Sequence, residues 1–208
     1  MSKLEQFGVV PVDFATLSTS LGGYKSLHDK ISNLEKKGQL IRLKKGLFVV
    51  SPNVLKQSLS KELIANHLYG PSYISFENAL SFYKLIPERV YSIRSMTTKR
   101  GKTFSTPLGI FEYLSAKVDY FKIGIRQERI DNKYAWLIAS PEKALCDMIV
   151  STAGLRLQSV KAMQEYIEED LRIDLNSVMN FDSDIIKQCI ETGRKKTELV
   201  QLLNLLGV

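Results

Sequence analysis

Apolar positions recur at helical spacing twice near the start of the chain, and the period then shortens to that of strands. After Pro11, whose fixed φ suits a first helical turn, Phe14, Leu17 and Leu21 fall at i, i+3 and i+7 on one face. A second helical pattern runs from about Tyr24 to Lys37 with Leu27, Ile31 and Leu34 inward, and the two patterns meet at Gly22-Gly23. Gly38, just past a lysine-rich last turn, stops the second helix. Residues 39–43 and 47–50 then read as two short strands joined by Lys44-Lys45-Gly46, where the glycine can supply the positive φ of a hairpin turn. Helix, glycine turn, helix and basic hairpin, in that order, predict a winged helix-turn-helix DNA-binding domain over residues 1–53.

Ser51-Pro52-Asn53 is the natural break after the wing, and a helix resumes by Leu59. From Lys61 the pattern is a helix to about Tyr69, a Gly70-Pro71 turn, and a helix from about Phe76 to Tyr83 with Ser75 placed to cap it. Strand signals follow at residues 90–97, 109–114, 120–127 and 134–139, each rich in aromatic and β-branched residues, which predicts an antiparallel or mixed sheet. Ser140-Pro141-Glu142 supplies a capping hydroxyl, a first-turn proline and a carboxylate at the positive helix end, and opens a helix whose apolar face is Leu145, Met148 and Ile149. Everything after Leu157 reads as helices, the last carrying Leu199, Leu202, Leu203 and Leu206 in one stripe. Such a stripe docks onto its own domain or offers a surface to a partner. The fold class is therefore α+β: an N-terminal winged helix-turn-helix and a mixed α/β domain with C-terminal helices over residues 54–208.

Charge sharpens this picture. Of the net +7, residues 1–50 carry 8 Lys and Arg against 4 Asp and Glu, residues 51–150 carry 14 against 9, and residues 151–208 carry 7 against 9. The first two thirds can meet a polyanion and the C-terminal helices cannot do so strongly. Cys146 and Cys189 lie in apolar helical surroundings and read as buried free thiols of a reducing compartment. Met1 to Phe7 lacks the apolar run of a signal peptide, and no stretch reaches the roughly 20 apolar residues of a membrane span, so a cytoplasmic protein is expected.

On the second helix, Lys25, Ser26, Asp29, Ser32, Asn33 and Lys36 occupy the face opposite Leu27, Ile31 and Leu34. In helix-turn-helix proteins the N-terminal residues of that helix meet base edges in the major groove. Lys25, Ser26 and Asp29 are thus the leading base readers, with Asn33 next: Asn pairs with adenine, Lys reaches guanine acceptors, and Asp accepts from the cytosine amino group. Tyr24 and Lys30 sit at the flank and point to phosphate contacts, as do Arg42, Lys44 and Lys45 on the wing. Any small helix carries a solvated polar face, and that is the alternative.

Catalytic constellations are missing from the sequence. His28 and His67 have no Cys or His partner at metal-ligand spacing, and His28 is better accounted for as a packed or phosphate-touching imidazole. Phosphate-loop, dinucleotide and nucleophile-elbow motifs do not occur. Glu142, Lys143 and Asp147 are residue types that hold a metal in nucleases, with Asp119, Glu128 or Asp131 as the acids still needed, but they start one capped helix, whereas such acids more usually come from strands. No metal, no cofactor and no catalysis are expected.

Three segments in order, "GQLIRLKKGLFVV" at 38–50, "GPSYISFENALSFYKLIP" at 70–87 and "ASPEKALCDMIV" at 139–150, resemble the AbiEi family of type IV antitoxins and related transcriptional regulators. The resemblance spans roughly residues 5–150. It implies a bifunctional protein: a winged helix that binds inverted repeats in its own promoter, and a C-terminal domain that counteracts a nucleotidyltransferase-like toxin. It also implies that the C-terminal domain can extend the DNA surface, for which Arg94, Lys99, Arg100 and Lys102 are the matching positions, a solvated basic loop being the alternative. A stand-alone winged-helix regulator whose second domain senses a ligand or partner is the other reading of the same residues.

Overall fold

The computed structural model describes residues 3–22, 26–87, 90–130 and 133–207. A 3-10 turn (Glu5–Phe7) leads into β1 (Val12–Asp13), α1 (Phe14–Ser20), α2 (Leu27–Lys36), β2 (Leu40–Lys44) and β3 (Leu47–Val50). Pro11 precedes β1 and does not open a helix. The start of α1 is set by Asp13, whose carboxylate accepts from the Thr16 N–H at 2.7 Å. Ser26 caps α2 in the same way, so that helix begins at Leu27 and not at Tyr24; Gly23, Tyr24 and Lys25 lie outside the described residues. Gly38 and Gly46 have φ of 65° and 77°, the left-handed geometry wanted after a helix and in the hairpin turn. The three strands form one antiparallel sheet in the order β1-β3-β2.

Side chains of the hairpin serve two cores, as the two-residue period of a strand allows. Phe48 and Val50 pack with Leu17, Leu21, Ile31, Leu34 and Leu40 in a smaller core. Val49 and Leu43 belong to the larger core of the rest of the chain, against which Ile41 and Leu47 also pack. Covering both faces explains why β3 reads Leu-Phe-Val-Val without polar alternation.

The expected break after the hairpin is a packed corner. Ser51 is buried, donates its N–H to Gln39 O at 2.9 Å and caps α3 (Pro52–Leu55), whose Val54 and Leu55 pack against the smaller core. Beyond it come α4 (Lys61–Leu68), β4 (Ser72–Ile74), α5 (Phe76–Phe82), β5 (Ile93–Thr97), β6 (Lys102–Thr106), β7 (Gly109–Ser115), α6 (Val118–Phe121), β8 (Ile125–Ile130), β9 (Tyr134–Ala139) and α7 (Pro141–Ser151). Their six strands make a mixed sheet in the order β6-β7-β5-β4-β9-β8, with β5 parallel to β7 and β4 parallel to β9.

The chain is thus α+β, and its larger sheet has two strands the hydrophobic pattern does not predict. β4 is three buried residues, too short for a period to register, and β6 is an edge strand of mostly exposed polar side chains. The expected strand at 120–127 is split, because Tyr120 ends up in α6 and β8 starts only at Ile125. The tail forms α8 (Val160–Glu165), a π-helical turn (Tyr166–Asp170), α9 (Leu175–Val178), α10 (Ser183–Thr192) and α11 (Lys196–Leu205). Leu199 and Leu202 are buried and Leu203 and Leu206 pack beside them, so the last stripe docks onto its own core. Cys146 and Cys189 are free and buried, and no helix among the described residues is long and apolar enough to cross a membrane.

Because the hairpin belongs to both cores, damage to the smaller one reaches the larger. Phe48→Ala removes a fully packed ring, which costs about 3–5 kcal/mol. The expected outcome is a lowered denaturant midpoint seen equally by Trp136 fluorescence, which reports the larger core, and by far-ultraviolet circular dichroism. An unchanged Trp136 transition would mean that the two cores unfold independently.

Candidate nucleic-acid interface

The outward face of α2 carries Ser26, Asp29 and Asn33, all exposed. Ser26 Oγ accepts the Asp29 N–H at 3.3 Å as the helix cap, which leaves the hydroxyl hydrogen free to donate outward. Asp29 sits in the first turn, where the helix dipole favours its charge. Two further expected contacts, Tyr24 and Lys25, lie outside the described residues, and Lys30 is half-buried and already engaged within the protein. His28 stacks on Phe14 with ring centroids 4.7 Å apart, a packing role.

The hairpin cations are not equivalent. Arg42 is clamped by Glu35 through two bonds of 2.8 and 2.6 Å and lies over the Phe48 ring, so a phosphate would have to displace a carboxylate to reach it. That removes Arg42 from the free phosphate contacts. Lys44, expected at the wing surface, is half-buried, and its ammonium donates to Leu68 O at 2.5 Å. A register shift between Arg42 and Lys44 turns it toward the second unit. Burial first, then the charges of Lys99 and Lys102, push its pKa below the ordinary lysine value. Lys45 remains exposed at the turn.

Across from Lys44 the turn between β5 and β6 presents Lys99, Arg100 and Lys102, all exposed. Lys99 lies 5.3 Å from the Tyr69 ring centroid, Lys102 lies 4.8 Å from that of Phe104, and Lys44 lies 5.9 Å from Phe104. The two rings are 5.5 Å apart, and the Tyr69 hydroxyl donates to Arg100 O at 3.2 Å, fixing the turn. Three ammoniums thus share an aromatic platform, each cation–π contact contributing about 0.5–1 kcal/mol where exposed.

Arg94 does not join this set. Its guanidinium stacks 4.4 Å above Phe76, donates to both Glu77 oxygens at 2.7 and 2.8 Å, and faces Glu112 at 3.8 Å, so its charge is already matched. Tyr69 and Phe104 were missed at the level of sequence; basic residues interleaved with an aromatic in "KRGKTF" at 99–104 are the signal that marks them.

Of the residue types that hold a metal in nucleases, Glu142, Lys143 and Asp147 are buried. Lys143 Nζ and Asp147 Oδ1 pair at 3.0 Å with both side chains at 0% exposure. The second Asp147 oxygen accepts the Ser75 hydroxyl at 2.6 Å and the Tyr73 hydroxyl at 3.0 Å. The Ser75 side chain is therefore committed to Asp147, and α5 begins without the expected side-chain cap. Lys143 Nζ also sits 3.0 Å from the Tyr120 ring centroid. Burial, and then the Asp147 charge, hold the Tyr73 and Tyr120 hydroxyls well above their ordinary pKa. Glu142 accepts the Asp182 N–H at 3.3 Å, Asp119 is exposed beside Lys122, and Asp131 lies outside the described residues. Among the described residues no three His, Cys, Asp or Glu side chains form a group able to hold a metal. Lys143 and Asp147 belong to a buried polar network with Tyr73 and Ser75.

No protein-family model matches this chain, and no curated protein matches it.

Removing one member of a sealed pair leaves the other charge buried alone, which costs about 3–5 kcal/mol. Asp147→Ala is expected to lower stability by that amount in chemical denaturation, and adding Lys143→Met is expected to recover part of the loss. A double variant less stable than Asp147→Ala alone would show that the lysine packs usefully without its partner.

Proposed function

We propose that the protein is a cytoplasmic DNA-binding transcriptional repressor that acts as the antitoxin of a type IV toxin–antitoxin pair. The observation that carries the DNA part is the meeting of Lys44, Lys99 and Lys102 on the Tyr69–Phe104 platform, with Lys45 and Arg100 beside them and no carboxylate paired to any of the five among the described residues. The order of β1, α1, α2 and the β2–β3 hairpin, with its β1-β3-β2 sheet, supports a winged helix-turn-helix. In that reading the start of α2 enters the major groove, where Ser26, Asp29 and Asn33 read bases, while Lys45 and the platform hold phosphates.

Support for the antitoxin part is the AbiEi resemblance and the way its three segments interlock. Lys44 of the first reaches Leu68 O just ahead of the second, and Tyr73 and Ser75 of the second bind Asp147 of the third. The protein acts by binding, on DNA and against a nucleotidyltransferase-like toxin.

In mobility-shift titrations of the full chain, Lys45→Ala with Lys99→Ala and Lys102→Ala is expected to weaken binding to every duplex and to flatten the salt dependence by about 0.9 for each phosphate left without its lysine. Ser26→Ala with Asn33→Ala should instead lose about 1–3 kcal/mol of discrimination per base pairing and spare random DNA. If the triple variant binds like wild type, the platform is not a DNA surface.

The antitoxin reading has its own test: the full chain, expressed under a foreign promoter beside a nucleotidyltransferase-like toxin of the type IV class, should restore growth even with the triple substitution. Growth arrest with both the wild-type and the substituted chain would leave a repressor without antitoxin activity.

A further inference from the structure

A cavity of about 330 Å³ opens at the carboxyl ends of the parallel strands β5 and β7, where the C-terminal ends of α7 and α10 meet them. In sheets with parallel neighbours, ligands bind beyond the carboxyl ends of the strands. The volume lies at the lower end of the roughly 300–1,000 Å³ of small-molecule sites, which suits one small molecule and no polymer.

Three kinds of chemistry line it. Met96 and Tyr120 give apolar wall. Ser115, Ser151 and Thr192 give hydroxyls, and Lys117 and Arg194 give positive charge. Neither of these two cations has an ion-pair partner among the described residues. Backbone forms the remaining walls at close range. A Cβ on Gly193 would lie 2.5 Å from Cys189 O and 2.9 Å from the Tyr120 ring, and one on Gly101 would lie 3.1 Å from Tyr113 O.

We infer that this cavity binds one mononucleotide-sized anion: a planar apolar group against the tyrosine and methionine wall, a hydroxyl-bearing middle at the Ser and Thr side chains, and a phosphate at Lys117 and Arg194. The site is separate from the DNA platform and stands or falls independently of it. A ligand with only one of the three parts leaves the other two walls unmatched.

Calorimetric titration of the full chain with adenosine monophosphate and cytidine monophosphate, each beside adenosine and inorganic phosphate, tests this. Saturable one-to-one binding of a mononucleotide, weaker for adenosine and for phosphate alone, is the expected result. Lys117→Ala with Arg194→Ala should weaken it about ten-fold or more, the equivalent of about 1.4 kcal/mol, with an unchanged thermal midpoint. Lys99→Ala with Lys102→Ala should leave it intact. Absence of binding by both mononucleotides overturns the proposal, as does wild-type affinity in the Lys117/Arg194 variant. Loss of binding in the Lys99/Lys102 variant would place the nucleotide on the DNA platform and overturns the cavity site without touching the DNA reading.

Discussion

One strand, β3, ties the molecule together because its two faces belong to different cores. Phe48 and Val50 look into the small helical unit, and Val49 looks into the large one. A four-residue strand has no polar face to give to water in that position, and its sequence has none. The consequence for function is mechanical. A hairpin held on both sides moves only with the body of the protein. Lys44 shows the same constraint in polar form, since its ammonium is tied to the end of α4. The basic groups of the hairpin and of the β5–β6 turn therefore keep a fixed spacing.

The second fixed point is the buried Lys143–Asp147 pair. Desolvating two charges is costly, and mutual attraction offsets it only where the remaining polar atoms are also satisfied. Here Tyr73 and Ser75 satisfy the far oxygen of Asp147, and the cost falls on α5, which starts without a side-chain cap. It starts, moreover, with Phe76 at φ 57°, a conformation that an aromatic residue adopts only when its surroundings impose it. The surroundings are specific: Ser75 is held from the core side by Asp147, and the Phe76 ring is covered by Arg94. That same cover accounts for Arg94. Its carboxylate partners and its stacking surface make it part of the scaffold, although by composition it looks like one more DNA contact.

Sequence patterning located the helices that have a wet face and a capping residue, α1, α2 and α7 among them, together with the hairpin glycines. It failed where burial is total or where the edge is polar. β4 offers three buried residues and no period, β6 is polar because it is an edge, and Tyr120 reads as a strand residue only because its apolar neighbours continue into β8. At the site, exposed Ser26, Asp29 and Asn33 stay on the outward face of α2 where helical periodicity puts them. Arg42, Lys44 and Arg94 do not stay free, because charge counting along a chain cannot see a carboxylate or a carbonyl brought in from a distant element. Glu35, Leu68 and Glu77 are those partners.

What charge counting does preserve is the sum. Part of the excess of cations over residues 1–150 sits at the hairpin tip and the β5–β6 segment, as Lys44, Lys45, Lys99, Arg100 and Lys102. Gly101, in that turn, is also a wall of the cavity beyond β5 and β7. A Cβ at that position would lie 3.1 Å from Tyr113 O, so the turn packs closely on β7. The exposed cations Lys99 and Arg100 and one wall of the cavity therefore share a single short segment, held against β7 by the close approach of Gly101.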